Sequence, residues 1–315
     1  MLLAAISVPL TAQKPDIQVD VDLVTIACAV ATPSGTPAQN LTVNDFKLLD
    51  NGQPRAIRNF WREADLPLTV ALVADVSASQ AGYVKSHSEA ISQFLKQVVG
   101  PRDRSMLVEV GQKARLIFPL STSTTQLEAS VNKIGSPDAK QSPLLGPPCR
   151  NAEFPHSCGG TVLWHALYYT AKTLEPVSGR KAIVVLSDGL DTGSDISLND
   201  LIATVQASGI LVYSIKYASP MRFLSISGAV AQAVSRGLNR LSREAGGLTF
   251  PNPGRNISEV FSKIEADLRN LYVLGFTPPS DARDGKFHNL VVAVTPPGFV
   301  VRSRAGYLAV KNNNQ

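Results

Sequence analysis

The sequence predicts an α/β fold: a doubly wound, mostly parallel sheet with a small β module built from the N- and C-terminal strands. The first observation is the apolar run Leu68–Ala74, which only Thr69 interrupts and which is typical of a strand buried on both faces. The second is the alternation of strand and helix patterns over residues 66–271, which is typical of parallel sheets. The third is that strand patterns without long helices fill residues 17–63 and 272–310.

Composition narrows the class of protein. The chain has 315 residues, of which 44% are hydrophobic and 17% charged, so it is globular and long enough for a large domain plus a smaller one. Its net charge of +5 comes from Lys and Arg residues that form no basic run and no ladder with aromatic residues. We therefore expect no nucleic-acid partner.

Residues 1–13, MLLAAISVPLTAQ, have the apolar core and the small-residue context near Ala12 of a secretory signal. The positively charged leader is missing, so we predict a truncated signal peptide. No later stretch approaches the ~20 apolar residues of a membrane span, and we expect none after signal removal. The expected location is secreted or periplasmic, with cell-surface association left open.

The cysteines fit an exported protein. Cys149 and Cys158 flank the polar loop CRNAEFPHSC, where we expect a local disulfide. A metal site with His156 is the alternative, but it lacks a fourth ligand and a CxxC spacing. Cys28 lies in an apolar strand pattern and is expected to be a buried thiol.

The N-terminal segment 17–63 has the pattern of several short strands. Alternation over Ile17–Val30 predicts the first strand, and NDFKLLD at Asn44–Asp50 and Ala56–Trp61 predict two more. Asn51-Gly52, which directly follows the second of these, is a type I′ hairpin signal.

The central block predicts strands and helices in turn. We expect helices at Tyr83–Val99, Thr124–Ile134, Val162–Leu174, Leu198–Ala207, Leu238–Ala245 and from an N-cap at Ser258 to about Leu271. The expected strands are Leu68–Ala74, Ser105–Val110, Ala114–Leu120, Lys181–Leu186, Ile210–Tyr217 and Leu248–Phe250. A long Pro- and Gly-rich loop at 135–160 is of the kind that often carries function, and an insertion at 218–237 has no clear pattern.

The tail returns to strands, at Tyr272–Thr277, Phe287–Val294 and Phe299–Ala309. The two ends of a doubly wound domain often lie close together. We therefore expect the strands of 272–310 to pair with those of 17–63.

Oxygen-bearing side chains follow the predicted strands. Asp75, Ser77 and Ser79 come directly after Leu68–Ala74, Thr161 opens a helix, and Asp188 follows Lys181–Leu186. Ligands bind at the carboxyl ends of strands in open α/β sheets, and hard cations prefer oxygen ligands. We therefore expect these five side chains to form a divalent-ion site with one position left for water or a partner's carboxylate.

This set resembles the von Willebrand factor A domain (VWA domain, Rossmann-like) with its metal-ion-dependent adhesion site, over roughly residues 66–272. In that family a DxSxS loop, a Thr and an Asp hold one ion. The resemblance implies that Ser77, Ser79 and Thr161 bind directly and that Asp75 and Asp188 act largely through bridging water. It further implies Mg²⁺, with Mn²⁺ or Ca²⁺ as alternatives.

A wider resemblance, to the VWFA-related proteins of acidobacteria, extends over nearly the whole chain. It is carried by VDVDLVTIACAV, NDFKLLDNGQPRAIRNF, PLTVALVADVSAS, GGTVLWHAL, AIVVLSDGLDTGS, YVLGFTPP, DGKFHNLVVAV and VRSRAGYLA. These proteins are typically exported, which implies export here. Glu109 in LVEVGQ departs from the A-domain pattern, which often has an aromatic residue followed by Ser there.

Other candidate residues have plainer interpretations. We expect Asp191 to be a solvated loop carboxylate, His165 to pack or cap, and His87 to be solvated or packed. Trp164 and Tyr168, four residues apart on one predicted helix, are expected in the core.

Three classes of function are compatible with these observations. The leading one is an exported, non-enzymatic adhesion or protein-binding module whose ion is completed by an Asp or Glu of a protein ligand. The second is a strand-end hydrolase with Asp75 as nucleophile, although such enzymes usually carry a second Asp where Ser77 stands. The third is an A-type scaffold without an ion.

Overall fold

A computed structural model describes residues 23–62, 67–147, 160–217, 228–254, 256–282 and 284–309. Within these ranges the chain forms three sheets and six α-helices. The predicted fold class, a doubly wound sheet with a β module from both chain ends, is confirmed. The predicted signal peptide, and Cys149 with Cys158, lie outside the described residues. None of the described helices combines the length and apolar character needed to cross a bilayer.

The strands and helices are numbered in chain order. The strands are β1 Val24–Ala31, β2 Phe46–Asp50, β3 Gln53–Arg55, β4 Asn59–Arg62, β5 Leu68–Asp75, β6 Arg104–Val110, β7 Ala114–Ser121, β8 Arg180–Ser187, β9 Ile210–Lys216, β10 Thr249–Phe250, β11 Leu271–Phe276, β12 Phe287–Val294, β13 Val300–Ser303 and β14 Gly306–Leu308. The helices are α1 Val84–Gln97, α2 Thr124–Val131, α3 Leu163–Leu174, α4 Leu198–Ala207, α5 Gly228–Glu244 and α6 Ile257–Arg269.

The central sheet has the strand order β10-β9-β8-β5-β6-β7, and only β7 is antiparallel to its neighbour. From β5 the chain moves to β6 on one side and later returns to build β8, β9 and β10 on the other. The order therefore reverses between β5 and β8. That switch point is where open α/β sheets form ligand sites.

Strand β5 is buried along its whole length, as the apolar run predicts. Alternate residues of the strand serve two different cores. On one face Val70 and Leu72 pack with α1, α2 and α6, whereas on the other face Ala71 and Val73 pack with α3, α4 and α5. Covering both faces with helices explains why the strand needs no polar alternation.

The β module consists of two four-stranded antiparallel sheets, ordered β13-β1-β11-β4 and β14-β12-β2-β3. Each contains strands from both ends of the chain, since β1 pairs with β11 and β2 pairs with β12. Their facing side chains, including Ile26, Phe46 and Tyr272, form a separate core. The Asn51-Gly52 turn between β2 and β3 has the two positive φ angles, 48° and 79°, that a type I′ hairpin requires.

The division of the chain into segments at 17–63, 66–271 and 272–310 stays a prediction. Pairing between the first and last segments describes contacts, and it does not establish which segments fold independently.

A buried ion pair joins the β module to the central domain. Arg302 of β13 donates both guanidinium nitrogens to the Asp267 carboxylate of α6, with one bond at 2.7 Å. Tyr213 of β9 donates its hydroxyl to the same carboxylate at 2.9 Å, and burial raises the pKa of this Tyr well above its usual value. Three elements from different layers thus meet at Asp267.

Several predicted elements differ from the structure. The last helix begins at Ile257 behind the N-cap Asn256, so Ser258 lies in its first turn instead of capping it. The helix predicted at Leu238–Ala245 already begins at Gly228, while residues 218–227 lie outside the described ranges. The predicted strand Phe299–Ala309 is two strands, β13 and β14, which belong to different sheets. Cys28 is a free, fully buried thiol, as expected.

We predict that Arg302→Ala lowers the free energy of unfolding by about 3–5 kcal/mol, because it leaves the buried Asp267 carboxylate without its bidentate partner. Arg302→Lys keeps the positive charge but cannot make two parallel hydrogen bonds to the carboxylate, so its loss of stability should be intermediate. Lys263→Ala, which removes an exposed pair with Glu259, is the matched control and should change little. Urea denaturation measures all three. Equal stability of Arg302→Ala and Lys263→Ala contradicts the role given to the pair.

Candidate metal centre

The five predicted site residues lie on three segments that meet at the carboxyl edge of the central sheet. Asp75 ends β5, Asp188 follows the last residue of β8, and Thr161 stands just before α3. Gly111, in the turn after β6, lies between two of the segments. Its carbonyl accepts the amide of Val162 at 2.9 Å, and a Cβ built on it would lie 4.0 Å from the Ser77 amide nitrogen.

Asp75 is completely buried, and both of its carboxylate oxygens accept hydrogen bonds. Oδ1 accepts the backbone amide of Ser77 at 2.9 Å. Oδ2 accepts the hydroxyl of Ser187, the last residue of the neighbouring strand β8, at 2.5 Å. The carboxylate is therefore fixed in orientation by its own loop and by the strand across the switch point.

The side chains of the two serines in the DxSxS loop lie next to each other. Their hydroxyl oxygens are 2.9 Å apart, and the chain between them enters a short 3₁₀ turn at Ala78–Gln80. Ser77 is buried and Ser79 is partly exposed. Two hydroxyls this close offer adjacent oxygen ligands to a cation.

Thr161 is held by the loop that follows β8. Its amide donates to the Thr192 hydroxyl at 3.1 Å, and its carbonyl accepts the amides of Thr192 and Gly193 at 3.0 Å. A Cβ on the preceding residue, Gly160, would lie 2.0 Å from the Thr192 Oγ1, so only glycine fits this approach. The Thr161 and Asp188 segments thus form one bonded unit.

Asp188 is partly exposed, and its Oδ1 accepts the amide of Leu190 at 2.9 Å. Its charge acts on Asp75. Burial raises the pKa of Asp75 to about 6, the hydrogen bonds from Ser187 and Ser77 lower it, and the negative charge of Asp188 raises it again. A buried carboxylate with a second carboxylate nearby favours a proton or a cation close to it.

The donor set fits a hard divalent ion. It consists of two carboxylates and three hydroxyls, without nitrogen or sulfur, which is the chemistry that Mg²⁺, Mn²⁺ and Ca²⁺ select. Among the described residues no group of three or more His, Cys, Asp and Glu side chains is arranged for a metal. A site here therefore depends on hydroxyl ligands, since only two carboxylates are available.

Sequence reasoning misses two residues around the site. Ser187 has no role in the sequence pattern beyond preceding Asp188, yet it bonds directly to Asp75. Gln80 is buried and donates to the Tyr217 carbonyl at 2.9 Å, which holds the end of the DxSxS loop. No local pattern signals these contacts, because each partner is distant in sequence.

Three further residues on α1 and α3 are packed. His87 of α1 is fully buried with its ring 4.6 Å from that of Tyr217, and burial lowers its pKa to about 4. Of its two expected environments, solvated or packed, the packed one is therefore correct. Trp164 and Tyr168 of α3 are partly buried and pack against the core on that face of the sheet.

The expectation that Asp191 is a solvated loop carboxylate is wrong. Its Oδ1 accepts the Trp164 amide at 3.0 Å and the Ser194 hydroxyl, so it caps the first turn of α3 from another loop. Burial raises its pKa, and these hydrogen bonds lower it. Next to it, His165 is buried and its Nδ1 lies 2.8 Å from Asp195 Oδ1, in keeping with a packing role.

Glu109, the departure from the A-domain pattern, also has a structural role. It is buried near the end of β6, and its Oε2 accepts the Gly135 amide at 2.6 Å. Burial raises its pKa, while the bond from Gly135 and the charge of Arg115 lower it. The residue fixes the start of the 135–147 loop against the sheet.

Comparison with known proteins gives distant likenesses. No protein-family model matches the chain, and no curated protein matches it in sequence. The chain is similar to a von Willebrand factor type A structure from Catenulispora acidiphila, at 11% identity and TM-score 0.46 over 94% of this chain and 76% of that one. It is also similar to the conserved hypothetical protein BatB from Bacteroides thetaiotaomicron (13% identity, TM-score 0.43, 62% of this chain and 97% of that one).

A further similar structure is an aerotolerance-related membrane protein from Bacteroides fragilis, at 15% identity and TM-score 0.44 over 64% of this chain and 98% of that one. All three TM-scores are below 0.5. The fold class therefore rests on the strand order and connections of this chain.

We predict a pH-dependent difference between the wild type and Asp75→Asn in the ion-free protein. A raised pKa means that the folded state holds the proton more tightly, so wild-type stability falls as pH rises from about 4 to about 6. Asp75→Asn keeps the shape of the side chain but cannot ionise. Between these pH values the free energy of unfolding of the wild type should therefore fall by about 3 kcal/mol relative to that of Asp75→Asn. Urea denaturation with chelator at pH 4 and pH 7 measures it. Parallel pH profiles for the two proteins contradict the burial argument.

Proposed function

We propose that this chain is an exported, non-enzymatic module that holds a divalent ion at Asp75, Ser77, Ser79, Thr161 and Asp188 and uses it to bind an acidic side chain of a protein partner. Mg²⁺ is the proposed ion, with Mn²⁺ or Ca²⁺ as alternatives. The proposal is supported by three segments that carry oxygen side chains and lie together at the switch point of the sheet, with the Ser77 and Ser79 hydroxyls 2.9 Å apart beside the buried Asp75. The likeness to A-type adhesion domains, and more closely to the VWFA-related proteins of acidobacteria, is part of this proposal.

The bond network supports an ion better than an ion-free scaffold. Complete burial of the Asp75 carboxylate, with the charge of Asp188 nearby, is unfavourable in a scaffold that binds no cation. A divalent ion among the hydroxyls of Ser77, Ser79 and Thr161 would balance this charge. The three hydroxyl ligands are neutral, and Asp75 and Asp188 would act largely through bridging water, so the ion would keep one ligand position for an incoming carboxylate.

The hydrolase alternative is less well supported. A nucleophilic Asp needs an exposed oxygen, but Asp75 is completely buried and both oxygens already accept hydrogen bonds. His165, the histidine next to the Thr161 loop, is paired through Nδ1 with Asp195. Asp75 is therefore not arranged to attack a substrate, and His165 is a buried side chain that packs against the Tyr169 ring, 4.7 Å away.

The proposed location is the periplasm or the cell exterior. The proposal rests on the signal-like pattern of residues 1–13 and on the family likeness. The resemblance to the A domain implies an adhesion-type role, and the wider resemblance implies export. A surface ion that recognises carboxylates would be accessible to partners in either place.

We predict that Mg²⁺ and Mn²⁺ bind the purified chain at pH 7.5 with a stoichiometry of one, measured by isothermal titration calorimetry. Ser77→Ala and Thr161→Ala should abolish measurable binding, whereas Thr161→Ser, which keeps the hydroxyl, should preserve it. Ser187→Ala removes only a partner of Asp75 and should weaken binding by about 10–100-fold.

The matched controls for this titration are Ser262→Ala on the exposed face of α6 and Asp281→Asn in the β module, which should bind as the wild type does. Unchanged affinity in Ser77→Ala and Asp75→Ala contradicts the site assignment. If Ser262→Ala or Asp281→Asn removes the heat of ion binding, the ion binds at a different site.

We also predict that the bound ion accepts a carboxylate. Mn²⁺ held by the chain should retain exchangeable water, which enhances the relaxation rate of bulk water protons. Glutarate should displace that water and lower the enhancement, whereas glutaramide, of the same size without charge, should not. An enhancement that glutarate leaves unchanged while the ion stays bound contradicts the partner chemistry, though not the ion site.

A further inference from the structure

A second surface lies away from the metal centre, in a groove between the central domain and the β module. The groove has a volume of about 660 Å³ and is lined by the end of α5, by β10 and by parts of β12 and β13. Gly247, which leads into β10, lines the groove, and the neighbouring Gly246 lies so close to β13 that a Cβ on it would be 2.8 Å from the Ser303 carbonyl carbon. The groove therefore starts at the amino end of β10, whereas the metal centre is at the carboxyl ends of the strands.

Strand β10 offers backbone groups to this groove. It is the edge strand of the central sheet, and among the described residues no strand pairs with its outer side. Ser214 of β9 donates its amide to the Leu248 carbonyl at 2.9 Å. By the alternation of a parallel ladder, the N–H and C=O of Thr249 then face outward, away from β9. The Thr249 hydroxyl is buried and, in the described part of the chain, has no hydrogen-bond partner.

The opposite wall is apolar and the rim is basic. Val291 of β12 is 52% exposed and lines the groove, and Val301 of β13 also lines it while it packs partly against the core of the β module. Arg243 lines the rim with its side chain 75% exposed, and its nearest carboxylate, Glu244 at 3.9 Å, already bonds Arg240 at 2.8 Å. One carboxylate shared by two guanidinium groups leaves net positive charge over the groove.

We propose that this groove binds an extended acidic peptide segment of a partner protein by strand addition to β10. In strand addition, the outward N–H and C=O of Thr249 would bond to the backbone of the peptide, and these bonds do not depend on the sequence of the peptide. The alternating side chains of an extended segment would place apolar groups against Val291 and Val301 and acidic groups toward Arg243. This site uses none of the metal ligands, so it is independent of the proposed ion-dependent function.

The test uses a fluorescein-labelled, end-capped peptide in which glutamate and valine alternate over seven residues, titrated with the full chain in the presence of chelator. Fluorescence polarisation should show binding that Arg243→Gln weakens about fivefold. The matched variant Lys263→Gln, on the exposed face of α6, should bind as the wild type does. The corresponding glutamine–valine peptide should bind more weakly than the acidic one.

Strand addition is separated from simple charge attraction by two readouts. Hydrogen exchange of the Thr249 amide should slow when the peptide is added. Two further peptides carry N-methyl groups on alternate backbone nitrogens, one on the odd-numbered and one on the even-numbered residues. Only the peptide whose methylated nitrogens face β10 should lose binding. No binding of the acidic peptide, or binding without protection of the Thr249 amide, overturns the proposal.

Discussion

The Asp75 carboxylate has no exposure to solvent, and the arrangement of the carboxyl edge of the sheet follows from the need to stabilise it. Its two oxygens accept the Ser77 amide and the Ser187 hydroxyl, whose segments meet because β5 and β8 are neighbours where the strand order reverses. Burial and the charge of Asp188 still raise the pKa of Asp75 to about 6, so neutral donors compensate its charge only in part. In the proposed site, a divalent ion would replace this repulsion with attraction, and hydroxyls such as that of Thr161 would supply the remaining ligands.

The β module is built from strands that come before and after the central domain in the chain. Helix α6 passes within one residue into β11, which pairs with β1 and β4 from the other end of the chain. Arg302 returns from β13 to bind Asp267 on that same helix. The metal centre and the groove at β10 consequently lie on one connected body with surfaces of different chemistry, one acidic and one basic.

The fold was predictable from the sequence because its signals are local. The apolar run of β5, the Asn51-Gly52 turn and the alternation of strands and helices each depend on a few adjacent residues. The placement of the candidate side chains at strand ends was predictable in the same way, whereas their binding of an ion stays a prediction. The bond from Ser187 to Asp75 and the capping of α3 by Asp191 join residues 112 and 27 positions apart, and no spacing rule indicates them.

The central claim concerns the ion, and the anomalous scattering of Mn²⁺ in crystals of the full chain tests it most directly. We expect one strong peak about 2–2.5 Å from the hydroxyls of Ser77, Ser79 and Thr161. A map without a peak there, from crystals soaked at millimolar Mn²⁺ and neutral pH, contradicts the proposed site.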